Sequence, residues 1–109
     1  MNSIQIIGRL TKDPELTTTT GGHSLCRMRV AIPRPTDTED PVFIDVVSWD
    51  RLAHSCEAHL SQGRQVAVCG RLDYSEWSDD EGAKHSRHDI VATSVNFLSQ
   101  PKAKEAEAG

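Results

Sequence analysis

Phe43, Trp49 and Trp77 are the side chains in this sequence with the most to offer a ligand. The first two lie in Val42-Phe43-Ile44-Asp45-Val46-Val47-Ser48-Trp49. When extended, that run turns Val42, Ile44 and Val46 one way and Phe43, Asp45, Val47 and Trp49 the other. The aliphatic residues are the natural inward set, which leaves two aromatics beside a carboxylate on the outward face. Three uses suit such a face: a platform for unpaired bases, a contact with another subunit, or a second packed layer. Stacking of a base on an aromatic ring is worth about 1–3 kcal/mol and depends little on base identity.

Trp77 stands just before an acidic turn, Asp79-Asp80-Glu81-Gly82, and shares a side with Arg71 if the alternation persists between them. Lys84, His85, Arg87 and His88 follow the turn. An aromatic near a hairpin tip with basic neighbours fits a strand that guides a phosphate backbone past a stacking ring. A small local cluster around Trp77 fits equally well. Arg9, Lys12, Arg27, Arg29 and Arg51 enlarge the cationic set, and the period of two puts Arg27 and Arg29 on one face. Their value is collective, because each phosphate they neutralise releases condensed counterions and makes affinity fall with salt.

Enzyme chemistry finds little support. His85 and His88 turn to opposite faces of a strand, and His54 and His59 diverge on a helix instead of forming an i, i+4 ligand pair. Asp79, Asp80 and Glu81 are contiguous and read as solvated turn acidity. Gly21-Gly22 is too little for a phosphate loop. No catalytic residue, metal or cofactor is expected. The 3 cysteines, Cys26, Cys56 and Cys69, form no C-x-x-C pattern or disulfide framework and read as buried free thiols. Twelve Lys and Arg against sixteen Asp and Glu give a net charge of −4, which argues against binding by bulk positive charge but permits a local basic groove.

These side chains need a scaffold. The chain's 109 residues suit one compact domain, with 37% hydrophobic and 26% charged residues as in soluble globular proteins. Nothing approaches the roughly 20 apolar residues of a membrane span, and Met1-Asn2-Ser3-Ile4 does not open a signal peptide, so a cytoplasmic location and no membrane partner are expected. Strand-like runs cover Ile4 to Leu10, Leu25 to Ile32, Val42 to Trp49, Gln65 to Tyr74 and His85 to Leu98, the last bent or bulged. Thr17 to Thr20 with Gly21-Gly22 reads as a turn or loop, and Pro33 to Pro41 as an irregular connection. Leu52, Cys56 and His59 or Leu60 recur at helical spacing, which predicts one helix over Arg51 to Leu60 with Asp50 as N-cap and Gly63 past its end. The expected class is all-β with one helix, a five-stranded oligonucleotide-binding (OB) barrel in the order strand-strand-strand-helix-strand-strand. Residues 1–99 form that domain, and 100–109, without a large apolar side chain, form a short flexible extension.

The ordered pieces Ile6-Ile7-Gly8-Arg9-Leu10-Thr11, Asp13-Pro14-Glu15-Leu16, Phe43 to Trp49, Leu52-Ala53, Val66 to Leu72 and Trp77-Ser78-Asp79 together resemble the bacterial single-stranded DNA-binding protein (SSB) family over residues 1 to 99. The resemblance implies a non-enzymatic domain that assembles as a homotetramer and wraps unpaired DNA in replication, repair or recombination. It assigns stacking to Phe43, Trp49 and Trp77, and the arginines of the cationic set, Arg9, Arg27, Arg29, Arg51, Arg71 and Arg87, are this sequence's own candidates for phosphate contacts. Asp45 is expected to order a nearby arginine. RNA is not excluded as a ligand.

Two departures stand out. Pro35 occupies the place of a further family aromatic, and Ala106-Glu107-Ala108-Gly109 offers no aromatic anchor where the family carries an acidic, partner-recruiting tip. The chain therefore reads as a short paralogue or as a DNA-binding domain cut from a longer protein. The competing function is a protein-interaction adaptor of the same fold in a primosome or replication-restart assembly.

Overall fold

The computed structural model describes residues 1–36 and 40–98; residues 37–39, within the proline-rich connection, and the expected extension at 100–109 lie outside the described residues. The chain forms strands β1 (Ile4–Leu10), β2 (Glu15–Thr18), β3 (Ser24–Ile32) and β4 (Val42–Trp49), the helix α1 (Asp50–His59), then β5 (Gln65–Ser78) and β6 (Lys84–Phe97).

All six strands join one sheet in the order β1-β5-β6-β4-β3-β2, and β1 also pairs with β3 through Arg9 opposite Ala31 and Leu10 opposite Val30. Every pairing is antiparallel except β4 with β6. The expected five-stranded barrel is therefore corrected to a six-stranded sheet with four strands ahead of the helix. The added strand is β2, in and before the stretch read as a loop. It escapes a hydrophobic-pattern reading because only Leu16 is partly buried there, and its hydrogen bonds along the outer edge of β3 hold it in place.

Alternation in β3 and β4 buries Cys26, Met28, Val30 and Val46 against Leu10, Val66, Val68, Ile90 and Ala92. The helix covers this same side through Ala53 and Cys56. Asp50 is not the N-cap. It is the first helical residue, with φ 55°, while Trp49 holds the cap position in extended conformation without a side-chain cap bond. An aspartate tolerates the left-handed region better than most residues. Its carboxylate accepts from His23 Nδ1 at 3.2 Å. Gly63 follows the helix as expected, and its N–H donates to Leu10 O at 2.8 Å.

The feature that matters most for function is the length of β5. It runs past Tyr74 to Ser78, and the β5–β6 register continues without a break from Arg71 opposite Val91 to Ser78 opposite Lys84. The outer half of this hairpin is mostly exposed, so it projects as an arm held by backbone pairing. A register shift at Cys69/Gly70 marks its root. Only glycine fits at position 70, because a Cβ there would stand 2.2 Å from Val91 O. Asn2 braces the same place: its side-chain amide donates to Leu72 O (2.8 Å) and accepts from Leu72 N (2.9 Å).

Candidate nucleic-acid interface

Residues opposite one another in a sheet share a face, so register decides which candidate residues meet. One row runs Glu15, Arg27, Val47, Val91, Arg71 across five strands. The next runs Arg29, Asp45, Asp89, Asp73. Beyond it Arg9, Ala31 and Phe43 align on β1, β3 and β4, and Ser75 faces Arg87 on the arm. Trp77 faces His85 nearer the tip, and Trp49 faces Leu25 at the opposite end. Phe43, Trp49, Trp77, Arg9, Arg27, Arg29, Arg71 and Arg87 therefore share the face turned away from the core. Arg51 does not, because it sits on the first turn of α1.

The three aromatics remain accessible: Phe43 is 46% exposed, Trp49 42% and Trp77 43%. Phe43 and Trp49 therefore do not form a second packed layer, although Val47 between them is buried. Two carry a guanidinium: Arg29 lies over Phe43 at 5.2 Å from the ring centroid, and Arg87 over Trp77 at 5.3 Å. Arg29 is held there by Asp45, whose Oδ1 accepts from Nη1 at 3.3 Å, the ordering role expected of that carboxylate.

Trp77 is also stacked on His85, with centroids 5.5 Å apart and planes at 19°. Asp79 fixes both the turn and this histidine. Its Oδ1 accepts from Glu81 N and Ala83 N, both at 2.9 Å, and its Oδ2 from His85 Nε2 at 2.8 Å. The bond from His85 is the main reason that the Asp79 carboxyl titrates below its ordinary value. Gly82 closes the turn at φ 83°.

Between the arm and the sheet lies a groove of about 310 Å³ lined by Arg27, Ser75, Trp77, Arg87 and Asp89. Neither Arg27 nor Arg87 is in an ion pair among the described residues, so both are available to a phosphate. Arg71 lies 3.9 Å from Asp73. Arg9 donates to Gly63 O at 3.0 Å and lines a separate groove with Ile7, Ala31, Pro33 and Pro41.

Sequence reasoning missed Asp73 and Asp89 as parts of this face, because only the register of β5, β6 and β4 brings them beside Asp45. It also missed Tyr74, which is exposed on the arm's other face with its ring 4.7 Å from that of His88. The alternation that puts Arg71 and Trp77 on one side also puts Asp73 there, whereas its place in line with Asp89 and Asp45 depends on register. Among the described residues no group of three or more His, Cys, Asp or Glu is arranged to hold a metal.

Comparisons with known proteins give the family and the fold. The model of the single-strand binding protein family matches residues 1–98. A single-stranded DNA-binding protein of Treponema pallidum is 38% identical over 99% of this chain and 64% of its own length. One from Caldanaerobacter subterraneus is 36% identical over 94% of this chain and 71% of its own. The chain thus spans about two-thirds of the length of these relatives. The crystal structure of the wild-type single-stranded DNA binding protein from Thermus aquaticus superposes with a TM-score of 0.76 at 24% identity, covering all of this chain and 44% of that one, a likeness of fold.

Proposed function

The chain belongs to the single-strand binding protein family, and from that premise we propose that it binds single-stranded DNA with little base preference and shields it during replication, repair or recombination. Phe43, Trp49 and Trp77 stack bases, while Arg27, Arg29 and Arg87 hold the phosphate backbone. Arg71 and Arg9 extend the cationic path on either side, and Arg51 acts only if the strand passes the helix. The carrying observation is that three exposed aromatics share one sheet face, two of them with a guanidinium over the ring. Such rings accept any base, which explains a ligand class without a sequence code.

The rest of the reading follows from the family: assembly as a homotetramer, a place in the cytoplasm with the DNA, and no catalysis. Recruitment of replication or repair proteins lies beyond what this face explains.

Titration with single- and double-stranded oligomers over a range of salt tests the proposal. Strong single-strand preference with quenched tryptophan emission is expected, and the logarithm of affinity should fall with that of salt by about 0.7 per phosphate neutralised. Replacing both Arg27 and Arg87 with glutamine should flatten that slope. Equal, weak binding of both oligomers would refute the proposal and favour the adaptor function.

A further inference from the structure

The proposed interface carries a transverse line of carboxylates as well as arginines. Asp73 on β5 faces Asp89 on β6, Asp89 faces Asp45 on β4, and Arg29 on β3 ends the row. The outer two carboxylates have cations, Arg71 at 3.9 Å from Asp73 and Arg29 at 3.3 Å from Asp45. Asp89 is different. It is only 8% exposed, and its Oδ1 is buried without a hydrogen-bond partner. Yet Asp89 lines the same groove as Arg27, Arg87 and Trp77.

The charged groups that face it come from each neighbouring strand: Arg87 on β6 itself, Arg27 on β3, Asp45 on β4 and Asp73 on β5. The helix packs on the opposite side of the sheet, with Ile90. Burial is the strongest influence and favours the neutral acid, as do the two carboxylates, whereas the two arginines favour the anion. The balance raises the Asp89 titration above its ordinary value of 3.8.

A phosphate in this groove would engage Arg27 and Arg87, the two cations that keep Asp89 ionised, and would bring a negative charge of its own. We infer that single-stranded DNA binding by this face is coupled to uptake of one proton from solvent by the Asp89 carboxylate, which makes that side chain an acid-released brake on binding. The proton adds to a carboxylate oxygen, and the resulting O–H can donate to a phosphate oxygen. At pH well above the Asp89 titration all three carboxylates repel the backbone. As pH falls through it, one repulsion disappears and affinity rises. One unit charge about 4 Å from a phosphate in water corresponds to roughly fivefold in affinity. A single linked proton limits the slope of log affinity against pH to one.

The inference rests on the proposed DNA binding, and one set of measurements separates the two. The full chain is titrated with a thymine oligomer from about pH 4, near the ordinary carboxylate value, to about pH 8 at constant salt, with calorimetry in buffers of different ionisation enthalpy to count protons. Affinity should weaken on the order of fivefold as pH rises, with net proton uptake on binding. Asp89→Asn should bind at pH 8 as tightly as the parent does in acid and lose the linked proton. His85→Gln, which removes the nearest histidine on this face, should keep it. If Asp89→Asn does not fold, the double variant Asp45→Asn/Asp73→Asn should shift the affinity profile to lower pH. A pH dependence that survives Asp89→Asn, vanishes in His85→Gln, or stays unshifted in the double variant overturns the coupling. Binding without proton uptake overturns the coupling alone, whereas absence of binding at every pH removes the proposed function and the coupling with it.

Discussion

Replacing Trp77 or Trp49 with alanine should separate binding from folding. Each ring is more than 40% exposed and lies outside the buried cluster built from Met28, Val30, Val46 and Ile90, so neither truncation opens a core cavity. Trp77 packs on His85 and beneath Arg87, and the pairing of β5 with β6 holds the arm without it. A surface change of this kind costs at most about 0.5 kcal/mol. Loss of one stacked base costs about 1–3 kcal/mol, which is roughly 5- to 160-fold in Kd. The register puts Trp49 and Trp77 eight positions apart along the strand direction, or about 26 Å at the usual rise. Rings so far apart serve different bases, so their losses should add. Anisotropy of a labelled thymine oligomer measures Kd without relying on the tryptophan removed, and thermal melts check that the fold survives. Parent-like affinity in both single variants and the double variant would refute the platform. A large loss of affinity accompanied by collapse of the melting transition would show that the rings support the fold instead.

Three further outcomes follow from particular contacts. Gly70→Ala drives a Cβ to 2.2 Å from Val91 O, a backbone atom at the arm's root, and should destabilise the protein by roughly 1–3 kcal/mol with a lowered Tm. The Asp79 carboxyl titrates below its ordinary value because it is bonded in the folded tip. Its contribution is therefore present above about pH 4 and is lost as pH falls through the lowered value, so the difference in Tm between the parent and Asp79→Asn should shrink as pH falls below about 4. Burial pushes the Cys26 thiol up to about 11 and raises Cys56 as well, so a thiol reagent at pH 7.5 should label half-buried Cys69 first and the other two only on unfolding.

Strands that bury one face could be read from the sequence, because burial writes a period of two into them. Val42 to Trp49 matches β4 end to end, and Ile4 to Leu10 matches β1. Where a strand is held by hydrogen bonds alone, no such period exists. Glu15–Thr18 has a single partly buried apolar residue, and Ser75 to Ser78 is exposed throughout, so pattern alone places Thr17 and Thr18 in a turn or loop and ends the other strand at Tyr74. The helix showed through the spacing of Leu52 and Cys56, but its first residue did not, because the left-handed turn at Asp50 depends on tertiary geometry that includes His23. The aromatics and arginines of the interface could be listed by type. Which of them meet is a matter of register, and the β4–β6 register that joins the two halves of the face pairs residues as distant in sequence as Asp45 and Asp89.

That distinction bears on how a chain of net charge −4 can hold a polyanion. A total of charges says nothing about pairing. On the interface Arg29 and Arg71 are partnered by Asp45 and Asp73, whereas Arg27 and Arg87 face the groove without an ion pair among the described residues. A phosphate meets the second two without displacing a carboxylate, but must compete for the first two. The carboxylates therefore grade the face, with its strongest cationic hold beside Trp77 and a weaker one toward Phe43. Neutralising Asp45 should free Arg29 for phosphate yet loosen it from the Phe43 ring, so Asp45→Asn would strengthen the electrostatic part of binding while weakening the order of the stack. The salt slope and the temperature dependence of binding would then move independently, an outcome that a face governed by net charge alone could not produce.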